Sequence, residues 1–537
     1  MYSYGIDLGT TYSCIARADN NNKVEVIKNI EGSYTTPSIV EFLDNNTTIV
    51  GDNAKEDMKL DSSNVCLSIK RFMGKQGEVR KYHGREFTPE QISAFILRKL
   101  VSDAEQMTGD KITDVVITIP AYFGVAERQA TTNAGKIAGL NVLSLVNEPT
   151  AAILAYTKER AFLGSRSVLV YDLGGGTFDV AVANILENNI EIIATAGSPS
   201  LGGNDWDTEL VTFFINQYCQ VTMENPKEIY ADSEVYNEFL LKAEDAKKRL
   251  TNKDSETIII DRGSGKRAKL SVTIDDFNYI TKHLLRSTME HTKDVIRQAS
   301  EKKGLPEGSL ITINDIIFVG GSTRMRQVKD AIIKEFGIEP QIFEPDEAIA
   351  RGAAIRASQI QQGSINMSIE ESRQYSSSNI HFLPIGSSNF SLHETQGEHP
   401  QNSAMFMDSA GFSEVISKSY GIRAKIDGIP RLSHVILKND KIPCSRTKTY
   451  RVDTPNQTSI EIVVYESNKM EPWADLSYGK RIAIGILQIP TGLPAGSLID
   501  VTFNFCNNGM LDITATERSK GINCTINVKT EGLSDFK

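Results

Sequence analysis

Basic residues are in deficit in this chain: 58 Lys and Arg stand against 68 Asp and Glu, a formal net charge of −10 over 537 residues. That balance gives no electrostatic reason to expect nucleic acid or an anionic membrane as a partner, and a phosphate ligand would need a local positive site. No uninterrupted apolar run is long enough to span a bilayer. The opening Met1-Tyr2-Ser3-Tyr4-Gly5-Ile6-Asp7 has no basic n-region and soon reaches an acid, so a secretory leader is not expected. Cysteine is sparse: Cys14, Cys66, Cys219, Cys444, Cys506 and Cys524 are scattered without Cys-x-x-Cys spacing. This usage suits reduced, buried thiols in the cytoplasm. The seven histidines include no His-Glu-x-x-His and no pair at i and i+4 on a candidate helix, so no structural zinc is expected.

What is present is length and patterning. The chain is long enough for three or four domain-sized units. Residues 1–357 alternate strand-like and helix-like segments, as in Asp114-Val115-Val116-Ile117-Thr118-Ile119-Pro120 followed by a helical pattern from Ala126 to Ala138. This predicts α/β architecture. Ser167–Tyr171 and Asp315–Val319 read as short buried strands that run directly into glycines, and ligand sites in such folds gather at strand ends.

From 358 to 413 about half the residues are Ser, Gln, Asn or Gly, the composition of a flexible polar linker. From 414 to 532 the period changes to two. Ile460, Ile462 and Val464 alternate with their neighbours, as do Val501, Phe503 and Phe505, which predicts an antiparallel β domain before a tail at 533–537. Asn507-Asn508-Gly509 reads as a hairpin turn, and Val415–Ile422 as a first strand.

Two near-copies of one turn carry the chemistry. Gly5-Ile6-Asp7-Leu8-Gly9-Thr10-Thr11 and Tyr171-Asp172-Leu173-Gly174-Gly175-Gly176-Thr177 place their aspartates 165 positions apart. In each, an apolar strand delivers an aspartate, and glycines let backbone N–H groups converge on a phosphate. Magnesium prefers one or two carboxylates plus water, so one aspartate from each lobe of a two-lobed ATPase would suit it. Either turn alone could be an ordinary tight turn; a third glycine pair, Val319-Gly320-Gly321-Ser322-Thr323-Arg324, argues against that reading. Two other stretches mislead. Gly263-Ser264-Gly265-Lys266-Arg267 has Ile260 where a P-loop needs glycine and Arg267 where it needs Ser or Thr, so it reads as a hairpin tip. Gly174–Asp179 has Asp179 at the third glycine of a dinucleotide fingerprint.

These motifs, with Ile119-Pro120-Ala121-Tyr122-Phe123, Asn147-Glu148-Pro149-Thr150-Ala151-Ala152, Leu201-Gly202-Gly203 and Pro345-Asp346-Glu347-Ala348, closely resemble the DnaK-type seventy-kilodalton heat-shock chaperones. The resemblance runs through residues 3–357 and resumes over about 414–532. It implies a two-lobed actin-like ATPase domain followed by a small antiparallel β-sandwich, with ATP/ADP and Mg²⁺ as cofactors and K⁺ as a candidate third. Asp7 and Asp172 match the metal-shell carboxylates. Thr10, Thr11, Gly174, Gly175, Gly176 and Thr177 match the phosphate cradle, and Gly9, Tyr12, Gly202 and Gly203 are also expected to bind the cofactor. Lys70 matches a lysine that places the attacking water, although alone it would read as a surface residue. At a normal pKa it would orient water and offset γ-phosphate charge. Glu148, Thr177 and Asp179 match groups around that water.

Glu244, Lys247, Lys248 and Thr251 fall at i, i+3, i+4 and i+7, a spacing that alone would read as a solvated charged helix face. The resemblance assigns that face to adenosine, with Gly320, Gly321, Ser322, Arg324 and Asp346. Family members often carry arginine where Lys248 stands, and lysine lacks the planar guanidinium that stacks on a base. Ile422, Tyr450, Ile460, Ile462 and Ile499 match positions lining an apolar peptide pocket; plain core packing is the alternative.

The resemblance also implies unfolded or extended polypeptides as clients, and a J-domain co-chaperone and nucleotide-exchange factor as candidate partners. Several features depart from the family. The sequence ends at Lys537, where the family continues into a helical lid, so a short, lidless form with fast peptide exchange is expected. A longer polar stretch replaces the short apolar linker, with Glu414-Val415 its nearest echo, which leaves coupling between ATP and peptide open. Ser144 stands where an arginine commonly meets J-domain partners. Lys425 and Asp453 replace apolar residues that arch over the peptide, which would alter peptide choice. Two rival readings are a small-molecule kinase on the same superfamily fold and a nucleotide-gated interaction protein with little turnover and one dedicated partner.

Overall fold

The computed structural model describes residues 2–362 apart from 22, 45–46, 59–61, 76, 160–163, 187–188 and 264–265, then 392–394, then 412–526 apart from 490–491 and 507–509. The Ser264-Gly265 tip, the Asn507-Asn508-Gly509 turn, most of the 358–413 stretch and the 533–537 tail lie outside the described residues. The chain divides into two compact units, residues 1–123 with 130–358, and residues 124–129 with 359–531. Among the described residues no helix is long and apolar enough to cross a membrane.

The first unit has two lobes, each built on a sheet with its own apolar core. In the first lobe, β1 (Ser3–Asp7), β2 (Tyr12–Ala18), β3 (Val24–Val26), β4 (Asp114–Ile119) and β5 (Asn141–Asn147) lie in the order β5-β4-β1-β2-β3. Strand β1 runs parallel to β4 and antiparallel to β2, so the chain turns back at Asp7. The Val-Val-Ile-Thr-Ile run of β4 is buried on both faces, as a central strand under helices requires. Helix α1 (Pro89–Thr108) covers this sheet. It starts at a Thr88–Gln91 capping box with Pro89 in its first turn, stops at left-handed Gly109, and buries Ile92, Ile96, Leu97 and Leu100 along one stripe.

The second lobe repeats the plan. Strands β6 (Ser165–Leu173), β7 (Phe178–Leu186), β8 (Asn189–Ser198), β9 (Asp315–Val319) and β10 (Gln341–Ile342) lie in the order β10-β9-β6-β7-β8. Here β6 is antiparallel to β7 and parallel to β9, and the cross-strand register sets Asp172 opposite Asp179. Helix α2 (Glu148–Glu159) follows directly on β5. Helices α3 (Gly203–Thr222) and α4 (Ser233–Leu250) pack together through Trp206, Phe214, Tyr218, Phe239 and Ala243.

Helix α5 (Ala348–Gln361) continues past the expected boundary at 357. Ser358, assigned to the linker by composition, is 1% exposed, and its hydroxyl donates to the Asp19 carbonyl.

In the second unit the described strands are β11 (Leu392–Glu394), β12 (Ser419–Ile426), β13 (Ile429–Ile436), β14 (Cys444–Val452), β15 (Ser459–Ser467), β16 (Gly479–Gln488), β17 (Leu498–Phe505), β18 (Leu511–Glu517) and β19 (Ile522–Ile526), with short Phe412–Val415 ahead of β12 and two-residue strands at Lys441–Ile442 and Trp473–Ala474. One hydrogen-bonded path runs β13-β12-β11-β14-β17-β18-β19, and β15 joins β12 to β16. Alternation is clean in β17, where Ile499, Val501, Phe503 and Phe505 face inward.

The expected Val415–Ile422 strand is in fact two. The Ile416 N–H donates to the Asp440 carbonyl and the Ile416 carbonyl accepts from Asn439, which breaks the strand before Ser419. The strand at 392–394 also falls inside the stretch assigned to a linker, and the one at 412–415 begins in it.

Candidate functional site

The two aspartate turns meet. Gly176 approaches Thr10 so closely that a Cβ there would lie 2.1 Å from Thr10 Cγ2, and one on Gly175 would lie 2.0 Å from Thr11 Oγ1. Only glycine permits this approach. The Gly174-Gly175-Gly176 turn is held by the start of α3: Gly203 N–H donates to the Gly174 carbonyl at 2.9 Å and Asn204 N–H to the Gly175 carbonyl at 2.7 Å. Gly174 N–H donates to the Thr177 carbonyl at 3.1 Å, closing the loop. Gly202 N–H donates to Asp205 Oδ2 at 2.7 Å. Gly9 N–H donates to Ser13 Oγ at 3.1 Å.

Between the lobes lies a buried charge cluster. Lys70, on a single 3-10 turn spanning Ile69–Phe72, makes an ion pair with Glu148 at the start of α2, and both are nearly inaccessible to solvent. Asp7 Oδ1 accepts from the Thr118 hydroxyl at 2.8 Å. Asp179 Oδ1 accepts from Ala121 N–H at 2.6 Å. Burial, then the Glu148 charge, push the Asp7 carboxyl up to about 7, against the pull of Lys70 and Thr118. Burial, then Glu148, Asp179 and Asp7, drive Asp172 well above the usual carboxylate range; burial and then Glu148 do the same to Asp179.

These residues fit a bound cation. Asp172 Oδ2 and Asp179 Oδ2 are buried without a hydrogen-bond partner. Four carboxylates, Asp7, Glu148, Asp172 and Asp179, also crowd Lys70, the one lysine that appears among the causes of the three aspartates' shifts. A divalent ion would satisfy both the orphaned oxygens and the excess charge. Among the described residues no group of three or more His, Cys, Asp or Glu is arranged to hold a metal by itself.

A second polar group flanks the turns. The Tyr12 hydroxyl accepts from Lys55 at 2.8 Å; Lys55 pairs with Glu244 at 2.8 Å, and Glu244 with Lys248 at 2.6 Å. Burial alone would raise the Glu244 carboxyl, but Lys55 and Lys248 outweigh it and hold it down at about 2. Ser322 Oγ donates to the Gly174 carbonyl at 3.0 Å, Gly320 N–H donates to the Pro345 carbonyl, and Arg324 pairs with Asp346 at 2.7 Å, with Gly321 beside Asp346. Of the residues assigned to adenosine, Ser322 and Gly320 therefore border the second turn, while Glu244 and Lys248 sit with Tyr12 beside the first.

Two of them differ from expectation. Lys247 is buried and pairs with Asp207 at 2.7 Å while donating to the Gly203 carbonyl, so it fastens α4 to the start of α3. It lies on the inward stripe of Ala243, Ala246 and Leu250, which outranks its nominal place beside Glu244. Thr251 caps α4 rather than lying on its face.

Sequence reasoning also missed several groups. Arg71 donates to the Gly176 carbonyl at 2.9 Å and pairs with Asp205 at 2.9 Å. Thr118, Asn204 and Lys55 likewise touch the turns. Arg71 adjoins Lys70 and could have been found by that adjacency; the others carry no sequence signal.

The expected peptide-lining residues are buried. Ile422, Tyr450, Ile460, Ile462 and Ile499 are all at most 1% exposed within the apolar core of the second unit, and the Tyr450 hydroxyl is hydrogen-bonded to Ser433. They form core rather than the wall of an open pocket, because inward alternation places them there. Ser144 is buried in β5 rather than displayed on a surface. All six cysteines are unpaired; Cys14 and Cys66 are buried and the other four only partly, which corrects the expectation of uniform burial.

Two sheets that each end in an aspartate–glycine turn, closing on a shared acidic site, define a two-lobed nucleotide-hydrolysing enzyme of the actin-like class. The sequence profile of the family described as "Hsp70 protein" matches residues 3–83, 75–371 and 406–536. The chain is 36% identical to the "Chaperone protein DnaK" of Thermotoga petrophila over 523 residues, covering 96% of this chain and 78% of that protein. It is 32% identical to the "Heat shock 70 kDa protein" of Emericella nidulans, covering 96% and 76%, and 31% identical to "Heat shock 70 kDa protein 2" of Paracoccidioides lutzii, covering 96% and 75%. The chain belongs to the Hsp70 family. It is an ATPase that hydrolyses ATP, uses Mg²⁺ with ATP/ADP, and acts in general as an ATP-dependent chaperone.

Proposed function

We propose that ATP is hydrolysed between the lobes, with Lys70 and Glu148 positioning the attacking water and Asp7 and Asp172 holding the metal's water shell. Thr10, Thr11, Gly174, Gly175, Gly176 and Thr177 cradle the phosphates, and Glu244, Lys248, Ser322, Arg324 and Asp346 border the nucleoside. Mg²⁺, when bound, neutralises charge developing on the phosphoryl oxygens. Phosphoryl transfer to water is mostly positioning and charge stabilisation, and a buried ammonium ringed by four carboxylates supplies both. The buried Lys70–Glu148 ion pair carries this reading, since so costly a burial of charge needs compensation. K⁺ is a candidate second cation in the same acidic space. A two-half site lets nucleotide distinguish open from closed lobes, as a population shift requires.

In this reading residues 1–357 are the ATPase domain, 358–413 connect it, and 414–532 bind extended polypeptide. The β unit takes peptide by backbone pairing at strand edges, with Ile422 and Tyr450 on the core side of the site. A J-domain co-chaperone, an exchange factor and a cytoplasmic location complete it.

Lys70→Ala tests the catalytic assignment. Single-turnover hydrolysis should fall at least about 100-fold, roughly 3 kcal/mol of barrier, while ATP affinity by calorimetry stays within a few-fold. Equal hydrolysis in both proteins would refute the role, and tight ATP binding by wild type without turnover would favour a nucleotide-gated interaction protein.

A further inference from the structure

Strand β11 occupies a slot built like a peptide-binding site. It comes from the polar stretch ahead of the β unit and inserts between β12 and β14, parallel to the first (His393 opposite Lys425) and antiparallel to the second (Leu392, His393 and Glu394 opposite Val452, Arg451 and Tyr450). The edges of those two strands account for the slot. One edge of β12 is taken by β13 from Tyr420 to Ile426; on the other, β15 pairs only from Ser419 to Ile422, leaving Arg423–Ile426 open except for β11. One edge of β14 is taken by β17 from Cys444 to Arg451, and at Tyr450–Val452 the described strand on its other edge is β11. Strands β12 and β14 do not pair with each other. Without β11 they would stand about 9.5 Å apart, two inter-strand spacings, and the backbone groups that now face His393 would lose that partner.

The walls are also tied across the segment. Lys425, opposite His393, makes an ion pair with Asp453, which follows the partner of Leu392. This bond reaches from β12 to the end of β14 and fixes the slot at the width of one inserted strand.

We propose that Leu392–Glu394 is an internal occupant of this slot, a segment of the chain that competes with extended polypeptide and must leave before a client can pair there. The inference rests on the reading of the β unit as a peptide binder and adds its regulation. A slot closed on both sides by backbone hydrogen bonds is indifferent to side chains, so a Ser/Asn-rich connecting segment can fill it as well as a client. Tethered to β12, the segment acts at an effective concentration of about 1 mM. If its own affinity for the slot is about 100 µM, it weakens every client about tenfold.

Proline cannot donate to a strand ladder, so His393→Pro and, independently, Glu394→Pro should expel the segment without touching either wall. In the full-length chain, binding of a fluorescein-labelled extended peptide with an apolar centre is followed by anisotropy. It should tighten about tenfold in both variants relative to wild type, and an unlabelled peptide of residues 388–398 should displace it from the variants. Equal affinity in wild type and both variants, or failure of the 388–398 peptide to displace the label, overturns internal occupancy while the peptide-binding reading stands. Binding by neither wild type nor variants overturns both.

Discussion

The two aspartate turns are copies in sequence and differ in surroundings. Asp7 has a hydroxyl donor in Thr118 and its carboxyl is pushed up to about 7, whereas Asp172 faces Asp179 across a strand pair, keeps one oxygen without a partner, and is driven well above the usual carboxylate range. The repeated turn therefore places the acids, but neighbours from other elements set how much each depends on a bound cation. In the proposed site, the first half is largely satisfied by protein groups, and the second would be left for a ligand to complete.

The largest effect expected within this comparison is on hydrolysis. Lys70 touches Glu148 and lowers the shifts of Asp7, Asp172 and Asp179, so its removal should disable both halves together, with the loss stated above. Next, Gly176→Ala would drive a Cβ into Thr10, where the halves touch. Overpacking of that kind costs about 1–3 kcal/mol, read as a lower thermal midpoint together with weakened ATP binding. An unchanged midpoint would mean the turns are not in contact. Smaller still is a difference between the acids in nucleotide-free protein. Asp172→Asn removes a carboxyl whose ionised form is disfavoured by burial and which keeps one oxygen without a partner, and should raise stability by about 1–2 kcal/mol. Asp7→Asn gives up its accepted bond from Thr118 and should gain less. Equal gains would mean the half-sites are equivalent.

Much of this was legible in the sequence because the residues carrying it are unusual for a reason. Glycines beside an aspartate at a strand end are costly unless the backbone must approach something closely, so both turns and the pair at Gly320-Gly321 announced themselves. The α/β alternation and the period-two strands were equally readable, since burial imposes each period.

What stayed hidden was decided by partners. Lys247 satisfied the helical spacing of its neighbours, yet the stripe of Ala243, Ala246 and Leu250 carried it inward to Asp207. The five apolar residues of the β unit could not be told from core by type, and they are core. Strand β11 was invisible for a different reason: its hydrogen bonds are made by backbone, which composition does not describe, and its partners lie in strands far along the chain.

The central claim is that Asp7 and Asp172 together hold a metal-bound nucleotide. Calorimetry of ADP binding with and without Mg²⁺, in wild type and in Asp172→Asn, tests it most directly. Wild type should bind ADP much more tightly with Mg²⁺ present, and the substitution should erase that advantage. Equal affinity of wild type for ADP with and without the metal would contradict it.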